Sequence, residues 1–597
     1  MQLDLDYLTL RMAYPVQKEG ERFRVTVDEL AEVLFCTPRN VKIILKKMKQ
    51  KGWIDYIPGR GRGITSLLQF NYSKEKILFE RVRYLIEHGN LQEGFSEINK
   101  YGDGTTVRRQ IGEWLNQYFG MKSENVSEYF KKDILRFPVF RTLNTLDPAE
   151  GYFTFDTHIT RQIFEPLFDY NVHKREVTPL LVHEWEVSEN KLLWRFYLKK
   201  GIRFHNGRVM QAADVVFSFN RLRDVENRLP QSWLMDKVKD VCALNPLIVE
   251  VTLSEPNELF LQYLSHPATA IIPFEACHPK TSKLLTPIGT GPFHYRGVTK
   301  EKFELIANQE YFREKPYLDK VEIITVPSQD YLSFTNENEV IIDSGETALQ
   351  EGLCNQYDYI GSSILSFNQT KGGALNHFNF RQLIDQLINR EQMVEDLGAP
   401  NVSPAFSFFD EGQEGKLYIQ DKSTVECSDG DQRDSLTLFT YSRHEKDAHW
   451  IANHLKEFGI DIQVHIVHWG DLLNQELVEQ ADMIIFEPVF SRGEISEIEL
   501  YCHGNSFLKI HLGNESNVEK RISDIISTES GMDRREKLRE LETYMKENYY
   551  FLFLTRKKVR TIHHPAVQGL KLSDNGWVDF QKVWVKPIIK ISSENSN

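Results

Sequence analysis

Cysteine is scarce in this chain, and long hydrophobic runs are missing. The 597 residues include six cysteines, which lie far apart and never form a CxxC pair. This spacing excludes a zinc ribbon and argues against a disulfide framework. No stretch approaches the roughly 18 consecutive apolar residues that a membrane helix requires. Met1–Leu10 has two aspartates and no basic cluster, so we expect no secretory signal and predict a cytoplasmic protein without a membrane partner.

Motifs for catalysis and for metal binding are missing as well. The sequence has no HExxH, no nucleophile elbow and no complete phosphate loop. His465 and His468 lie three residues apart on a predicted strand, so they point to opposite faces and cannot hold a metal together. We therefore predict a protein that is not an enzyme, with no cofactor and no metal site.

Positive charge is in deficit overall but concentrated near the start. The chain has 72 Lys and Arg against 85 Asp and Glu, a net charge of −13, whereas residues 1–115 hold 19 basic and 15 acidic side chains. Residues 36–63 contain eight basic side chains and one acid. Such a patch is typical of surfaces that bind phosphate backbones. A charge run alone, however, is better explained as a solvated helix face.

Residues 26–51 carry the signals of two short helices joined by a tight turn. Thr26 and Glu29 form a capping-box pattern, and Thr37 followed by Pro38 is typical of a second helix start, which we predict at about 38–51. The second helix has an apolar stripe of Val41, Ile44, Leu45 and Met48. Its basic side chains lie on another face, roughly 130° away.

A hairpin is predicted directly after this second helix. Residues 53–57 and 64–70 have strand composition, and the sequence PGRGRG between them forms the turn. Helix, turn, helix and hairpin together form the winged helix-turn-helix pattern, which predicts double-stranded DNA as a partner. Arg60 and Arg62 at the hairpin tip would contact the DNA backbone or the minor groove.

Roles within the second helix follow from side-chain chemistry. Arg39 and Asn40 suit bidentate contacts with guanine and adenine, although a local cap or backbone contact explains Asn40 equally well. Lys42 and Lys46 suit phosphates. The DNA-binding candidates are Thr37, Arg39, Asn40, Lys42, Lys46, Lys49, Arg60 and Arg62.

The rest of the chain has a different pattern. Helical spacing at 74–88 and 106–119 predicts helices that complete a first domain at 1–115, and the polar stretch 116–132 is predicted to be a linker. From residue 133 onward, β-like runs alternate with helix-like segments. That alternation predicts an α/β protein of more than one lobe.

Several long blocks of this second part resemble family 5 extracellular solute-binding proteins. The segment NTLDP at 144–148, followed by THITRQIFEPLF, resembles the entry segment of that family. Residues 194–222 are similar to its aromatic strand, lysine-glycine turn and following helix, and PIGTGPF at 287–293 matches its IGTGPF turn. With the winged helix in front, the arrangement resembles the SgrR-type transcriptional regulators.

The resemblance implies a multidomain fold: an N-terminal, mostly α winged helix-turn-helix and a two-lobed α/β domain of the periplasmic-binding-protein-like type II. The first lobe would span about 133–327 and 551–590, and the second about 328–550. It implies a one-component regulator, with a homodimer as a candidate assembly, that senses a small-molecule effector (a sugar phosphate, a sugar or a peptide-like compound) in the interlobe cleft. The alternative is a solute-binding protein of an oligopeptide-type ABC transporter.

Four aromatic residues are the candidates for contact with the effector: Tyr152, Phe153, Trp469 and Phe490. Core packing accounts for each of them equally well. Peptide-binding relatives carry an acidic residue four positions before a proline, where it pairs with the peptide amine. Counting back from Pro488 gives the apolar Ile484, and only a shift of two positions would give Asp482. The resemblance therefore argues against a peptide in the usual pose.

Overall fold

A computed structural model of the chain describes residues 2–59, 65–125, 131–139, 141–171, 174–224, 228–326, 339–342, 355–409, 435–490, 493–563, 567–570 and 577–586. These residues form an N-terminal domain, called the head here, and two lobes.

The head consists of six helices and one small sheet. Its elements are α1 (Gln2–Ala13), β1 (Arg22–Val25), α2 (Val27–Val33), α3 (Pro38–Gln50), β2 (Ile54–Ile57), β3 (Ser66–Phe70), α4 (Lys74–Glu87), α5 (Leu91–Tyr101) and α6 (Val107–Tyr118). The sheet is antiparallel in the order β1-β3-β2. The predicted helix pair, the hairpin strands and the helices at 74–88 and 106–119 are confirmed, whereas α1, β1 and α5 were not predicted.

Local side-chain chemistry explains where α2 and α3 begin. The Thr26 hydroxyl accepts the Glu29 N–H at 3.2 Å, and the Glu29 carboxylate accepts the Thr26 N–H at 2.8 Å, which is the predicted capping box. Thr37 caps α3 and Pro38 occupies its first turn. The predicted apolar stripe of α3 is fully buried in the head core. One face of α3 is therefore fixed in the core and the opposite face is left at the surface.

A buried ion pair joins the later helices of the head. Arg81 on α4 donates two hydrogen bonds, each 2.6 Å long, to the carboxylate of Glu97 on α5. Its guanidinium also lies 3.4 Å from the carboxylate of Asp4 on α1. Because both members of the bidentate pair are buried, this contact fixes how the three helices pack.

Lobe I follows without an intervening linker. Its elements are β4 (Gly120–Asn125), β5 (Lys131–Val139), α7 (Thr154–Ile163), β6 (Phe168–Asn171), β7 (Glu176–Pro179), β8 (Val182–Val187), β9 (Leu193–Leu198), α8 (Ala212–Arg223), β10 (Val238–Asn245), β11 (Ile248–Leu253), α9 (Phe260–Tyr263), β12 (Phe293–Gly297), β13 (Lys302–Ala307) and β14 (Lys320–Thr325). They form a five-stranded sheet in the order β12-β13-β14-β5-β4, a four-stranded sheet in the order β10-β11-β9-β8, and the ribbon β6-β7.

The stretch 116–132 differs from the linker that its polar composition predicts. Helix α6 ends inside it, and β4 pairs with β5 in antiparallel register from Gly120 opposite Arg136 to Asn125 opposite Lys131. The polar side chains of β4 are compatible with a strand because β4 is the edge of the sheet, where one face meets solvent.

The five-stranded sheet separates two cores, because successive side chains of a strand point to opposite faces. Leu135, Phe303 and Val321 face the core of lobe I. Ile324 on β14 instead packs into the core of the head. The head is therefore docked on the outer face of this sheet, and Arg136, Lys302, Lys320, Glu304 and Glu322 lie on the same outer face by strand alternation.

Hydrogen bonds from the loop between β12 and β13 reinforce this docking. The Thr299 hydroxyl donates to the carbonyl oxygen of Gly89 at 2.7 Å. The Glu301 carboxylate accepts the backbone N–H groups of Leu91 and, at 3.1 Å, of Gln92. A carboxylate of lobe I thus caps the start of α5, where a negative charge is stabilising.

Low pH should destabilise this docked sheet, because it protonates Glu322. Burial alone would raise its pKa, but the hydrogen bond from Lys320 and the charges of Lys302 and Arg136 outweigh burial and lower the pKa to about 2. A carboxylate with a lowered pKa contributes stability above its unfolded pKa, near 4.5, and loses that contribution as the pH falls towards 2.

We therefore expect the unfolding free energy of the wild type to fall relative to that of Glu322→Gln by about 3 kcal/mol between pH 5 and pH 2. Urea denaturation at several pH values measures the difference. Glu176→Gln, at an exposed position of β7, is the control and should show no such change. A difference between wild type and Glu322→Gln that stays constant with pH would contradict this role.

Lobe II is built on a seven-stranded mixed sheet. Its elements are β15 (Glu339–Ile342), β16 (Asn355–Phe367), α10 (Phe378–Leu387), α11 (Arg390–Leu397), β17 (Asn401–Pro404), β18 (Leu436–Thr440), α12 (Glu445–Lys456), β19 (Ile462–Ile466), α13 (Gln475–Gln480), β20 (Met483–Phe486), α14 (Glu494–Cys502), α15 (Phe507–Leu512), α16 (Ser516–Ser527), α17 (Gly531–Glu547) and β21 (Phe551–His563). Six strands follow the order β15-β21-β16-β20-β18-β19, and β17 pairs with β21.

The last stretch of the chain, 551–590, is divided between the lobes, whereas the sequence analysis assigned all of it to the first. Strand β21 lies in the sheet of lobe II because it pairs with β16 over most of its length. The following β22 (Val567–Gln568) and β23 (Trp584–Val585) pair with each other, and Phe580 between them packs into the core of lobe I. The return to lobe I therefore comes after β21.

Candidate nucleic-acid interface and interlobe site

The exposed side of α3, called the α3 surface here, carries the predicted DNA contacts Arg39, Asn40, Lys42, Lys46 and Lys49. All five are exposed. In the described part of the chain, Arg39, Lys42 and Lys46 form no ion pair. The Lys49 ammonium donates to the Tyr56 carbonyl oxygen at 3.1 Å. The α3 surface is therefore a face of cations that no described carboxylate pairs with, which suits contact with a phosphate backbone.

The start of α3 places two polar candidates at its exposed end. The Thr37 hydroxyl accepts the backbone N–H of Asn40 at 3.3 Å. The amide side chain of Asn40 makes no hydrogen bond within the described ranges, so its backbone alone takes part in the cap. The Asn40 side chain is therefore available to hydrogen-bond a DNA base. Its contact with DNA stays a prediction. Arg60 and Arg62 lie outside the described residues.

Two exposed apolar side chains flank the α3 surface and were missed by the sequence analysis. Phe35, in the turn before α3, is 93% exposed and has a φ of +49°, and Ile43 on α3 is 47% exposed. A positive φ is costly for a non-glycine residue, so the turn holds Phe35 outward at an energetic cost. The sequence gives no sign that Phe35 is exposed, because the exposure of a single aromatic residue depends on the tertiary structure.

Three of the four predicted effector contacts come together where the lobes meet. The ring centroids of Phe153 from lobe I and Trp469 from lobe II lie 3.8 Å apart, and Tyr152 lies 5.3 Å from Phe153. Phe490 is elsewhere and packs on Phe408 at 4.7 Å. The first three define the interlobe site, and contact of any of the four residues with an effector stays a prediction.

Arg141 is the cation of the interlobe site. Its guanidinium lies 4.6 Å from the ring centroid of Trp469, and it makes no hydrogen bond or ion pair within the described residues. Burial lowers the pKa of Arg141, since removal from water penalises the charged form. Arg141 is partly buried and no described carboxylate contacts it directly, although Glu487 and Asp156 act on it at longer range, so an anion placed beside it would be stabilised.

The charges around Arg141 leave a positive excess in the interlobe site. Arg443 pairs with Glu487, their closest atoms 2.9 Å apart, and the Lys557 ammonium pairs with Asp447. Three cations therefore face two carboxylates. Burial raises the pKa of a third carboxyl, Asp156, to about 7, so at neutral pH it carries only part of its charge. His444, whose pKa burial lowers to about 4, adds no charge at neutral pH.

Two buried polar atoms of the interlobe site have no hydrogen-bond partner among the described residues. They are the indole N–H nitrogen of Trp469 and one carboxylate oxygen of Glu487. The first is a donor and the second an acceptor. Buried polar groups are nearly always paired in proteins, so both atoms indicate where a ligand that can accept and donate would bind.

The amine anchor of peptide-binding relatives is not provided by either candidate position. Ile484 is buried in β20 within the hydrophobic core. The Asp482 carboxylate accepts the Thr437 N–H at 2.8 Å and lies 2.8 Å from the Lys371 ammonium. Asp482 therefore links the starts of two strands, and its charge is already balanced there.

A cavity of about 730 Å³ opens farther along the boundary between the lobes. Its walls include Trp233 and Tyr263 of lobe I with Tyr501 and Cys502 of lobe II. The Tyr263 hydroxyl is buried without a hydrogen-bond partner. None of the four predicted aromatic contacts lines this cavity, and no sequence motif marked the residues that do.

Comparison with known proteins identifies both parts of the chain. The profile of bacterial extracellular solute-binding proteins, family 5, matches residues 176–491, and that of the sugar transport-related sRNA regulator N-terminal domain matches residues 3–120. The chain belongs to the family 5 solute-binding proteins, in the SgrR-type arrangement. This confirms the resemblance and the fold class stated from the sequence.

Relatives of the same SgrR-type arrangement cover nearly the whole chain. The protein YhjP of Bacillus subtilis is 30% identical over 577 residues, which are 95% of this chain and 96% of that protein. The HTH-type transcriptional regulator SgrR of Yersinia enterocolitica is 26% identical over 94% of this chain and 95% of its own length. Full-length similarity to a named regulator supports a role in transcription regulation.

Solved structures share the fold of the solute-binding part of the chain. The periplasmic binding protein DppA of Helicobacter pylori, in complex with the peptide STSA, has a TM-score of 0.63 and 20% identity, covering 76% of this chain and 98% of that one. NikA of Brucella suis, in complex with Fe(III)-EDTA, has a TM-score of 0.59 and 19% identity, covering 76% and 100%. Among the described residues, no helix combines the length and apolarity needed to cross a membrane.

Proposed function

We propose that the protein is a cytoplasmic one-component transcription regulator that binds double-stranded DNA through the α3 surface and an anionic small molecule through the interlobe site. The observation that carries the DNA part is the winged helix-turn-helix head, with unpaired cations on the exposed face of α3. The full-length similarity to proteins named SgrR supports the same role.

The anionic class of effector is proposed from the charges of the interlobe site. Arg141 supplies a cation that no described carboxylate contacts directly, and the Trp469 N–H is a donor without an acceptor among the described residues. Both would be satisfied by phosphate or carboxylate oxygens. The free carboxylate oxygen of Glu487 would accept a hydroxyl group of the same ligand. A sugar phosphate combines these groups, whereas a neutral sugar leaves Arg141 unpaired.

Replacing Arg141 by alanine should remove most of the effector from the protein. Small molecules released from purified full-length protein are identified and quantified by mass spectrometry. We expect an anion in the wild type and about tenfold lower occupancy in Arg141→Ala, because the variant lacks the only unpaired cation of the described interlobe site. Arg161→Ala, on the surface of the same lobe, is the control. An effector retained equally in both variants would contradict this assignment.

The alternative is a binding protein that delivers a solute to a transporter, a role suggested by the similarity to the ABC transporter-associated protein DppA. A mobility-shift assay on the upstream DNA of the gene, combined with cell fractionation, separates the two. A regulator shifts the DNA and stays with the soluble fraction, whereas a transporter component is membrane-associated and gives no shift. A homodimer is proposed because helix-turn-helix proteins commonly bind paired half-sites, and sedimentation with and without DNA measures it.

A further inference from the structure

The seam between the head and lobe I contains a cavity of about 420 Å³, called the seam cavity here. Its main walls are Glu87, Trp114 and Tyr118 of the head and Lys122, Arg136 and Lys302 of the lobe I sheet. It shares no residue with the interlobe site. Its volume lies within the range of pockets that hold small molecules.

The seam cavity is lined mainly by cations. Lys122, Arg136 and Lys302 face a single acid, Glu87, and that carboxylate already pairs with Arg83 at 2.9 Å. An anion entering the cavity would therefore meet positive charge from three strands at once.

The carboxylates behind the cavity wall are outnumbered by the cations there. Arg136 and Lys302 share one carboxylate, that of Glu322, at 2.9 and 3.4 Å. Lys320 also contacts Glu322, at 2.6 Å, and Glu304, at 3.4 Å. Lys302 and Glu322 are both buried, so solvent screens this excess only weakly. Arg136, Lys302 and Lys320 therefore share two carboxylates, which leaves an excess of positive charge on this side of the seam.

Flat side chains form the opposite wall. The rings of Trp114 and Tyr118 are stacked with centroids 4.8 Å apart and planes inclined by 27°. The Arg136 guanidinium lies 4.6 Å from the Tyr118 centroid on the sheet side. Guanidinium and stacked aromatic rings together form a layered surface on which a planar group can stack.

We propose that the seam cavity is a second ligand site, which binds a phosphorylated small molecule carrying a planar ring. Lys122, Arg136 and Lys302 hold the phosphate, and the ring lies against Trp114. A ligand bound there contacts α4 and α6 of the head and β4, β5 and β13 of lobe I, so it stabilises the docked arrangement of the two. This site acts independently of the interlobe site.

Calorimetric titration of the full-length protein tests the proposal with three probes at constant ionic strength: AMP, adenosine and inorganic phosphate. We expect AMP to bind at least tenfold more tightly than adenosine or phosphate, since only AMP offers both groups. Lys122→Glu should weaken AMP binding at least tenfold. Lys132→Glu, at an exposed position of β5, is the matched charge reversal and should leave it unchanged. Arg141→Ala should also bind AMP like the wild type.

Circular dichroism and thermal unfolding show whether Lys122→Glu is folded, and Lys122→Gln, which only removes the charge, should weaken AMP binding to a smaller degree. Absence of AMP binding by the wild type would overturn the proposal. So would equal AMP affinity in Lys122→Glu and Lys132→Glu. If inorganic phosphate bound as tightly as AMP, the proposal that the ligand carries a planar ring would be wrong. If Arg141→Ala lost AMP binding, the nucleotide would bind in the interlobe site instead of the seam cavity.

Discussion

Replacing Arg39 and Lys46 together by alanine is expected to weaken the binding of the full-length protein to its specific double-stranded DNA about a hundredfold. Both side chains lie on the exposed face of α3 and form no ion pair in the described part of the protein, so they lose no internal contact when replaced. Each contact to a base or phosphate typically contributes about 1–3 kcal/mol. Fluorescence anisotropy at a fixed salt concentration measures the affinity.

The matched control removes the same two charges from another surface of the head. Lys100 at the end of α5 and Arg109 on α6 are both exposed and lie away from α3. The double variant Lys100→Ala with Arg109→Ala should bind DNA within about threefold of the wild type, because only long-range charge is lost. Equal losses in the two double variants would mean that α3 is not the recognition helix.

Replacing Arg81 by methionine is expected to destabilise the head by about 3 kcal/mol. The change leaves the buried Glu97 carboxylate without the two hydrogen bonds, each 2.6 Å long, that hold it now. Removing one partner of a buried ion pair typically costs about 3–5 kcal/mol because the other charge stays uncompensated. Hydrogen exchange of the α4 and α5 amides measures the local stability, and it should become roughly a hundred times faster.

An exposed ion pair of the same head provides the comparison. Arg109 and Glu113 lie 3.9 Å apart on α6, and both side chains are at least 70% exposed. Arg109→Met should change the unfolding free energy by less than about 0.5 kcal/mol. Similar exchange rates in the two variants would show that the Arg81–Glu97 pair does not determine how α4 and α5 pack.

The elements that the sequence predicted correctly are those whose signals are local. The capping box at Thr26, the Thr37 cap with Pro38 and the apolar stripe of α3 each lie within one or two helical turns. Strand β1 has four residues and is stabilised by β3, more than 40 positions away. Likewise, β4 is polar and becomes a strand only because β5 offers an edge. Long-range pairing of this kind is invisible to a reading of local pattern.

The interlobe site shows the same limit. Aromatic residues near family motifs indicated Tyr152, Phe153 and Trp469, which do meet between the lobes. Arg141 could not be singled out, because its importance comes from stacking on a ring 328 positions away in the chain and from having no carboxylate partner. Whether a charge is paired is a property of the tertiary structure, so a lone arginine in a sequence gives no sign of it.

The edge strand β4 determines how the head and lobe I are joined. Strand β4 directly follows the head in the chain, but it pairs with β5 of lobe I. The head also covers Ile324 of lobe I. Removing the head together with β4 would therefore take one strand from the sheet of lobe I and expose Ile324. The head and lobe I are therefore joined by a shared sheet as well as by packing. Closure of the lobes would then move lobe II relative to the head and lobe I together.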